Sequence, residues 1–87
     1  MKEFFVYAIK STKDDRIYVG MSQNPGKRLL EHNNGKVFST KGFRPWVQIF
    51  FEKTGTNRTY ARSREKYWKS GYGKEKLKSK YSGVAQW

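Results

Sequence analysis

Two tyrosines in the first quarter of the chain, Tyr7 and Tyr18, are followed by Arg28, His32 and, much later, Glu65. These side chains offer phenols, a planar guanidinium, an imidazole and a carboxylate, a set suited to opening a phosphodiester. Glu65 would hold a hard divalent ion, Mg2+ or Mn2+, whose remaining positions are filled by water and phosphate oxygens. The donor fork of Arg28 matches a phosphate and steadies the charge that grows on it in the transition state. A phenol beside a cation or an imidazole gives up its proton more readily than its ordinary pKa of about 10 implies. Tyr7 is therefore the preferred general base, with His32 assisting it or holding water, and Tyr18 orienting the site through its hydroxyl. Gly20 lacks a Cβ and permits close approach of substrate or tight chain packing.

Each residue also has an ordinary reading. Tyrosines in strands are commonly core aromatics whose hydroxyls have found a partner. Glu65 reads equally as a surface acid paired with Arg62 or Lys69 on its own helix. Arg28 and His32 alone would be solvated, phosphate-positioning or capping side chains. The chemistry holds only if the fold brings all five to one place.

The elements that would do so are legible in outline. Phe4 to Lys10 has the apolar continuity and β propensity of a covered strand, and Arg16 to Met21 reads as a second. The polar run Ser11 to Asp15 between them predicts an antiparallel hairpin. Asn24 caps a helix whose first position is Pro25 and which stops near Asn33-Asn34-Gly35, with Gly35 suited to a left-handed terminus. Arg28 and His32 lie four residues apart on one face of it. Ser39 to Arg44 reads as a basic loop, because Pro45 makes a helix across it unfavourable. Trp46 to Phe51 reads as a third strand, closed by Thr54 to Asn57. A helix over Arg58 to Lys69 packs Tyr60, Ala61, Arg64, Tyr67 and Trp68 and sets Glu65 at the margin of that face. Ser70 to Gly73 breaks it, Lys74 to Tyr81 forms a short basic helix, and Val84 and Trp87 staple the terminus. The expected architecture is α+β: a three-stranded antiparallel sheet flanked by two to three helices.

At 87 residues the chain supports one domain, 1–87, and without cysteine it has neither disulfides nor thiolate metal sites. Nineteen Lys and Arg against seven Asp and Glu give a formal charge of +12. Spread along the whole chain, this charge describes a folded basic surface that attracts polyanions, nucleic acid first among them. Phe4 to Ile9 is too short to span a bilayer and carries no cleavage pattern, so no membrane role is expected and the cytoplasm is the default location. Thr40, Lys41 and Arg44 in the basic segment read equally as contacts for the substrate backbone and as a mobile solvated loop, while Lys66, Lys69, Lys74, Lys76, Lys78 and Lys80 form a second basic concentration that would contact phosphates with little base reading. Tyr72, Trp68 and Trp46 read first as core aromatics by their spacing, with a base-stacking platform as the alternative.

The order Phe5-Val6-Tyr7, ten residues, Tyr18-Val19-Gly20, then Arg28, His32 and Glu65 resembles the GIY-YIG nuclease domain. It is especially similar to small stand-alone bacterial proteins related to the amino-terminal nuclease domain of the excinuclease. The first motif departs from the family pattern, with Phe5 for Gly and Val6 for Ile, and the second has Val19 for Ile. The resemblance implies a three-stranded α+β domain with a single-metal hydrolase site. In it Tyr7 and Tyr18 are the signature tyrosines, Gly20 the signature glycine, Arg28 the phosphate-stabilising arginine, His32 the helix-borne histidine and Glu65 the metal ligand. The expected function is a metal-dependent endonuclease acting on DNA, nicked, flap or branched, in repair or processing, with a possible repair-protein partner. The alternative is a noncatalytic basic nucleic-acid-binding module or an accessory subunit of a repair complex.

Overall fold

The computed structural model describes residues 2–81. Strand β1 (Phe4–Ser11) turns through a polar hairpin into β2 (Ile17–Ser22), followed by helix α1 (Pro25–Asn33) and a single helical turn, α2 (Phe38–Lys41). Strand β3 (Trp46–Gly55), helix α3 (Arg58–Lys69) and helix α4 (Gly71–Tyr81) complete the described chain. The sheet is antiparallel in the order β2-β1-β3. The α+β architecture with three antiparallel strands is thus present as expected, with four helical segments among the described residues instead of two or three. The expected staple by Val84 and Trp87 lies outside the described residues.

The central place of β1 explains its unbroken apolar sequence, since both of its faces are covered. Val6 and Ala8 pack with Ile17, Val19 and Leu77, backed by Trp68 and Phe50. Tyr7 and Ile9, pointing the other way, pack with Trp46, Tyr18, Leu29 and Phe43. Helices α3 and α4 therefore lie over one face and α1 with α2 over the other. The hairpin is held by its own polar atoms: Ser11 Oγ accepts from the backbone of Lys13 at 3.0 Å, and Asp14 accepts from Arg16 N at 2.9 Å.

Three boundaries differ from the sequence reading. The one-turn α2 occupies the start of the segment expected as loop. Pro45 disfavours helix only next to itself, and Thr40 and Lys41 close a turn onto the Val37 carbonyl before Gly42 ends it. Strand β3 continues past Phe51 to Gly55 because its partner β1 pairs with it over the whole length, from Ser11 opposite Trp46 to Phe4 opposite Gly55. Its polar end, Glu52 to Thr54, is tolerated on an edge strand. Helix α4 starts at Gly71, so Ser70 alone separates it from α3. Gly73, which reads as a breaker, is a point of close crossing: a Cβ there would run into the Tyr67 carbonyl and the Trp68 backbone.

Candidate active site

Tyr7 reaches the α1 side from the middle of the sheet, directly opposite Gly20 on β2. Successive strand side chains alternate, so Tyr18, two residues before Gly20, shares that side. A Cβ on Gly20 would stand 2.5 Å from the Tyr7 hydroxyl and 2.7 Å from Cζ. Of the two uses the sequence allows for this glycine, the structure shows tight packing: Gly20 is buried beneath the tyrosine ring and is no surface for substrate.

Helix α1 begins where Asn24 Oδ1 accepts from Lys27 N at 3.1 Å, with Pro25 in its first turn, and ends before Gly35 at φ +77°. Asn33 ties its far end to β3, donating to the Trp46 carbonyl at 3.0 Å and accepting from Trp46 N at 2.6 Å. This fixes His32, which is fully buried, against both tyrosines. Its ring centroid lies 4.9 Å from that of Tyr18 and 5.8 Å from that of Tyr7.

The hydrogen bonds select the tautomer. Thr40 Oγ1 donates to the Val37 carbonyl at 3.3 Å, leaving its lone pairs for His32 Nδ1–H at 2.8 Å. His32 Nε2 is then the acceptor, and the Tyr7 hydroxyl donates to it at 2.8 Å. Burial pushes the Tyr7 phenol up to about 12, with the nearby Arg28 guanidinium pulling the other way. Burial, with Arg28 adding to it, draws His32 down to about 4. The pair is a neutral phenol on a neutral imidazole at ordinary pH.

Thr40, expected to touch substrate, is 1% exposed and instead sets the histidine ring. Trp46, considered as a stacking platform, is buried with its indole N–H donated to the Thr40 carbonyl at 2.9 Å. The core reading of Trp46 thus holds, whereas the role of Thr40 was not legible from residue type; the hint lay in a hydroxyl eight positions after His32, across a glycine-marked reversal. Lys41 is exposed, and Arg44 donates from Nε to the Lys41 carbonyl at 2.7 Å. Trp68 donates to Glu52, which also takes both prongs of Arg64 at 2.6 and 2.9 Å and so pins α3 to β3.

Arg28 stands beside the Tyr7 hydroxyl and pairs with Glu31 at 2.8 Å, which holds that carboxyl below its usual range. Glu65 reaches the site from α3. Its charge is felt at Tyr7, yet its oxygens are clasped by Arg62 at 3.0 Å and Lys69 at 3.1 Å. Tyr7, Tyr18, Arg28 and His32 are thus gathered together, with Glu65 close enough to act electrostatically but turned to its own helix. Lys66 is exposed one residue beyond it.

Among the described residues no group of three or more His, Asp or Glu side chains is arranged to hold a metal ion. The donor set fits a hard divalent ion of the kind that keeps most of its waters and needs one carboxylate. Glu65 is such a carboxylate, 7% exposed, and the cations that clasp it are half exposed.

Among the described residues no helix is long and apolar enough to cross a membrane. The GIY-YIG catalytic domain matches residues 3–81. A UPF0213 protein of Staphylococcus epidermidis is 32% identical over 78 residues, covering 90% of this chain and 94% of the relative. A UPF0213 protein of Clostridium perfringens is 38% identical over 74 residues, 84% of this chain and 77% of the relative. The structure-specific endonuclease subunit SLX1 of Vanderwaltozyma polyspora is 34% identical over 73 residues, 76% of this chain and 23% of that protein. With a catalytic-domain match from residue 3 to residue 81, on a fold that gathers the signature tyrosines around a buried histidine, the chain belongs to the GIY-YIG family.

Proposed function

We propose that this single domain is a divalent-metal-dependent endonuclease that hydrolyses DNA phosphodiesters in repair or processing, in the cytoplasm. The observation that carries the reading is the buried 2.8 Å bond from the Tyr7 hydroxyl to His32 Nε2, with the Arg28 guanidinium beside it. The similarity to a relative named as a structure-specific endonuclease subunit supports phosphodiester cleavage. The net charge of +12 supports the polyanion.

Tyr7 Oη takes a proton from the attacking water as its own proton passes to His32 Nε2. Thr40 keeps the ring turned so that the lone pair at Nε2 faces the phenol. Because burial keeps His32 neutral, that lone pair is available across the physiological pH range. Arg28 exchanges Glu31 for the phosphate and holds its non-bridging oxygens while negative charge accumulates there. Tyr18 closes over the imidazole and presents its hydroxyl to the site. Glu65 would hold the Mg2+ or Mn2+, which when bound supplies further stabilisation of phosphate charge.

The test is cleavage of end-labelled nicked, flap and branched DNA with Mg2+ or Mn2+. Wild-type protein is expected to cut at least one of them and Glu65→Gln none. The clasp of Arg62 and Lys69 on Glu65 favours a second reading, a module that binds DNA without cutting. Binding by wild type without cleavage of any of these substrates, unchanged by Glu65→Gln, would establish that reading instead. An accessory role in a repair complex would require a partner protein whose addition switches cleavage on.

A further inference from the structure

Next to the tyrosine–histidine cluster is a concavity about 380 Å³ in volume, lined by residues of β1, β2, α1, the turn before α1 and the start of α3. Tyr7, Tyr18 and His32 are not among its walls, but Arg28 is. Phe4 and Met21 give it an apolar stretch of wall, and Asn24, Lys27, Arg28 and Arg58 a polar and cationic one.

Arg58 is the informative member. Further along α3, Arg62 and Arg64 are tied to Glu65 and Glu52, and Lys69 to Glu65. Arg58 is exposed and bonds to no carboxylate among the described residues, and the same is true of Lys27. Glu31, the acid lining this concavity, is already occupied by Arg28 at 2.8 Å. A depression with both an apolar wall and two cations that no carboxylate bonds matches the chemistry of a nucleotide, whose sugar and base are apolar on their faces and whose phosphates are anionic. Its volume suits a single nucleotide, at the lower end of the usual range of about 300–1,000 Å³ for ligand pockets.

We infer that this cleft is a nucleotide subsite. It seats the nucleotide flanking the scissile phosphate, with Arg58 and Lys27 gripping the next phosphate and Phe4 and Met21 supporting sugar or base. Arg28, which lines the cleft and stands beside the Tyr7 hydroxyl, joins the subsite to the chemistry and sets the register in which the strand is cut. This rests on the nuclease reading for its substrate, and it assigns α3 a binding role at its first residue in addition to Glu65.

The inference is tested by binding without divalent ions, so that cleavage plays no part. Fluorescence anisotropy with labelled flap DNA is expected to show Arg58→Ala weakening affinity roughly tenfold, as for loss of one charge-assisted contact. The slope of log affinity against log salt should fall by about one. Arg58→Lys should restore the slope, and Lys13→Ala, on the exposed hairpin, should change little. Wild-type binding with Arg58→Ala indistinguishable from Lys13→Ala would overturn the subsite while leaving the nuclease reading intact. Loss of all binding in wild type would instead overturn the nuclease reading.

The apolar wall is tested separately through the Met21 methyl signal in an NMR titration with thymidine 3′,5′-bisphosphate and with inorganic phosphate. A shift with the nucleotide alone is expected. No shift with either, or equal shifts with both, would overturn the assignment of a nucleotide to this cleft.

Discussion

The two halves of the candidate site are built on opposite principles. On the α1 side, Tyr7, His32 and Thr40 form a buried, uncharged hydrogen-bond chain whose geometry is set before substrate arrives. On the α3 side, Glu65 is a charged group held by two half-exposed cations of its own helix. A proton carrier benefits from the first design, because a misplaced lone pair cannot accept. A ligand for a hydrated ion benefits from the second, because weak surface pairs, each worth about 0.2–1 kcal/mol, yield easily to a divalent charge. The halves should therefore respond differently to substitution: damage to the first disturbs folding as well as turnover, and damage to the second turnover alone.

Tyr7→Phe and Glu65→Gln make the sharpest contrast. Both are expected to lower kcat on a DNA substrate by roughly 10²–10⁴, the range for loss of a general base or a principal electrostatic group. Only Tyr7→Phe should also lower Tm. It strips His32 Nε2 of its buried partner, at a cost of about 1–3 kcal/mol. Equal Tm values for the two variants, measured by calorimetry without metal, would remove the distinction between the halves.

Gly20→Ala attacks the buried half sterically. The new methyl would lie 2.5 Å from the Tyr7 hydroxyl, too close for the ring to stay where it is. Overpacking of this kind typically costs about 1–3 kcal/mol, and the displaced phenol should also lose its bond to His32. A joint fall in stability and kcat, with Kd for DNA nearly unchanged, is the expected outcome. Because the ring and the glycine belong to directly paired residues of β1 and β2, no shift of α1 relieves the clash.

The acid limb of stability reports on His32. Its folded pKa, about 4, lies below its ordinary value of 6.5. Between those values the unfolded chain binds a proton that the folded chain refuses. Stability is then complete above about pH 6.5 and declines as pH falls towards about 4, levelling off below it. The loss is on the order of 3 kcal/mol. Urea unfolding across this window should show the decline in wild type and not in His32→Asn. Thr40→Val should lower Tm by leaving Nδ1–H without its acceptor, whereas Thr40→Ser, which keeps the hydroxyl, should not.

The same contrast governs what the sequence discloses. The first helix is written locally, as Asn24 and Pro25 at one end and Gly35 at the other, and the structure places it there. The central strand follows from its apolar run, and the helix Arg58–Lys69 from its periodicity. The clasp of Glu65 is likewise a matter of three- and four-residue spacing on that helix. The role of Thr40 is not local: it depends on a turn of helix folding back across Gly35 to meet the histidine, and a threonine in a basic run carries no mark of that. Arg58 is silent for a similar reason, since only the tertiary fold brings the first residue of α3 to the cleft that Arg28 also lines.

The smallest expected effect separates two uses of Lys69. Its Nζ lies 3.1 Å from Glu65, yet it belongs to the basic run that reads as a contact for the DNA backbone. If it serves as a placeholder on the carboxylate, Lys69→Ala removes a competitor for the ion. The half-saturating Mn2+ concentration for cleavage should then fall about two- to threefold, which corresponds to roughly half a kcal/mol. Stability and salt dependence should stay as they were. If Lys69 touches phosphate, the same variant should instead weaken DNA binding and reduce the salt slope by about one. Arg62→Ala, which frees the other oxygen of Glu65, should act in the placeholder direction, and the double variant should add to it, because the two cations hold separate oxygens. A metal requirement unmoved by either variant would mean that the clasp already opens fully when substrate binds, and that Glu65 is as prepared for its task as His32.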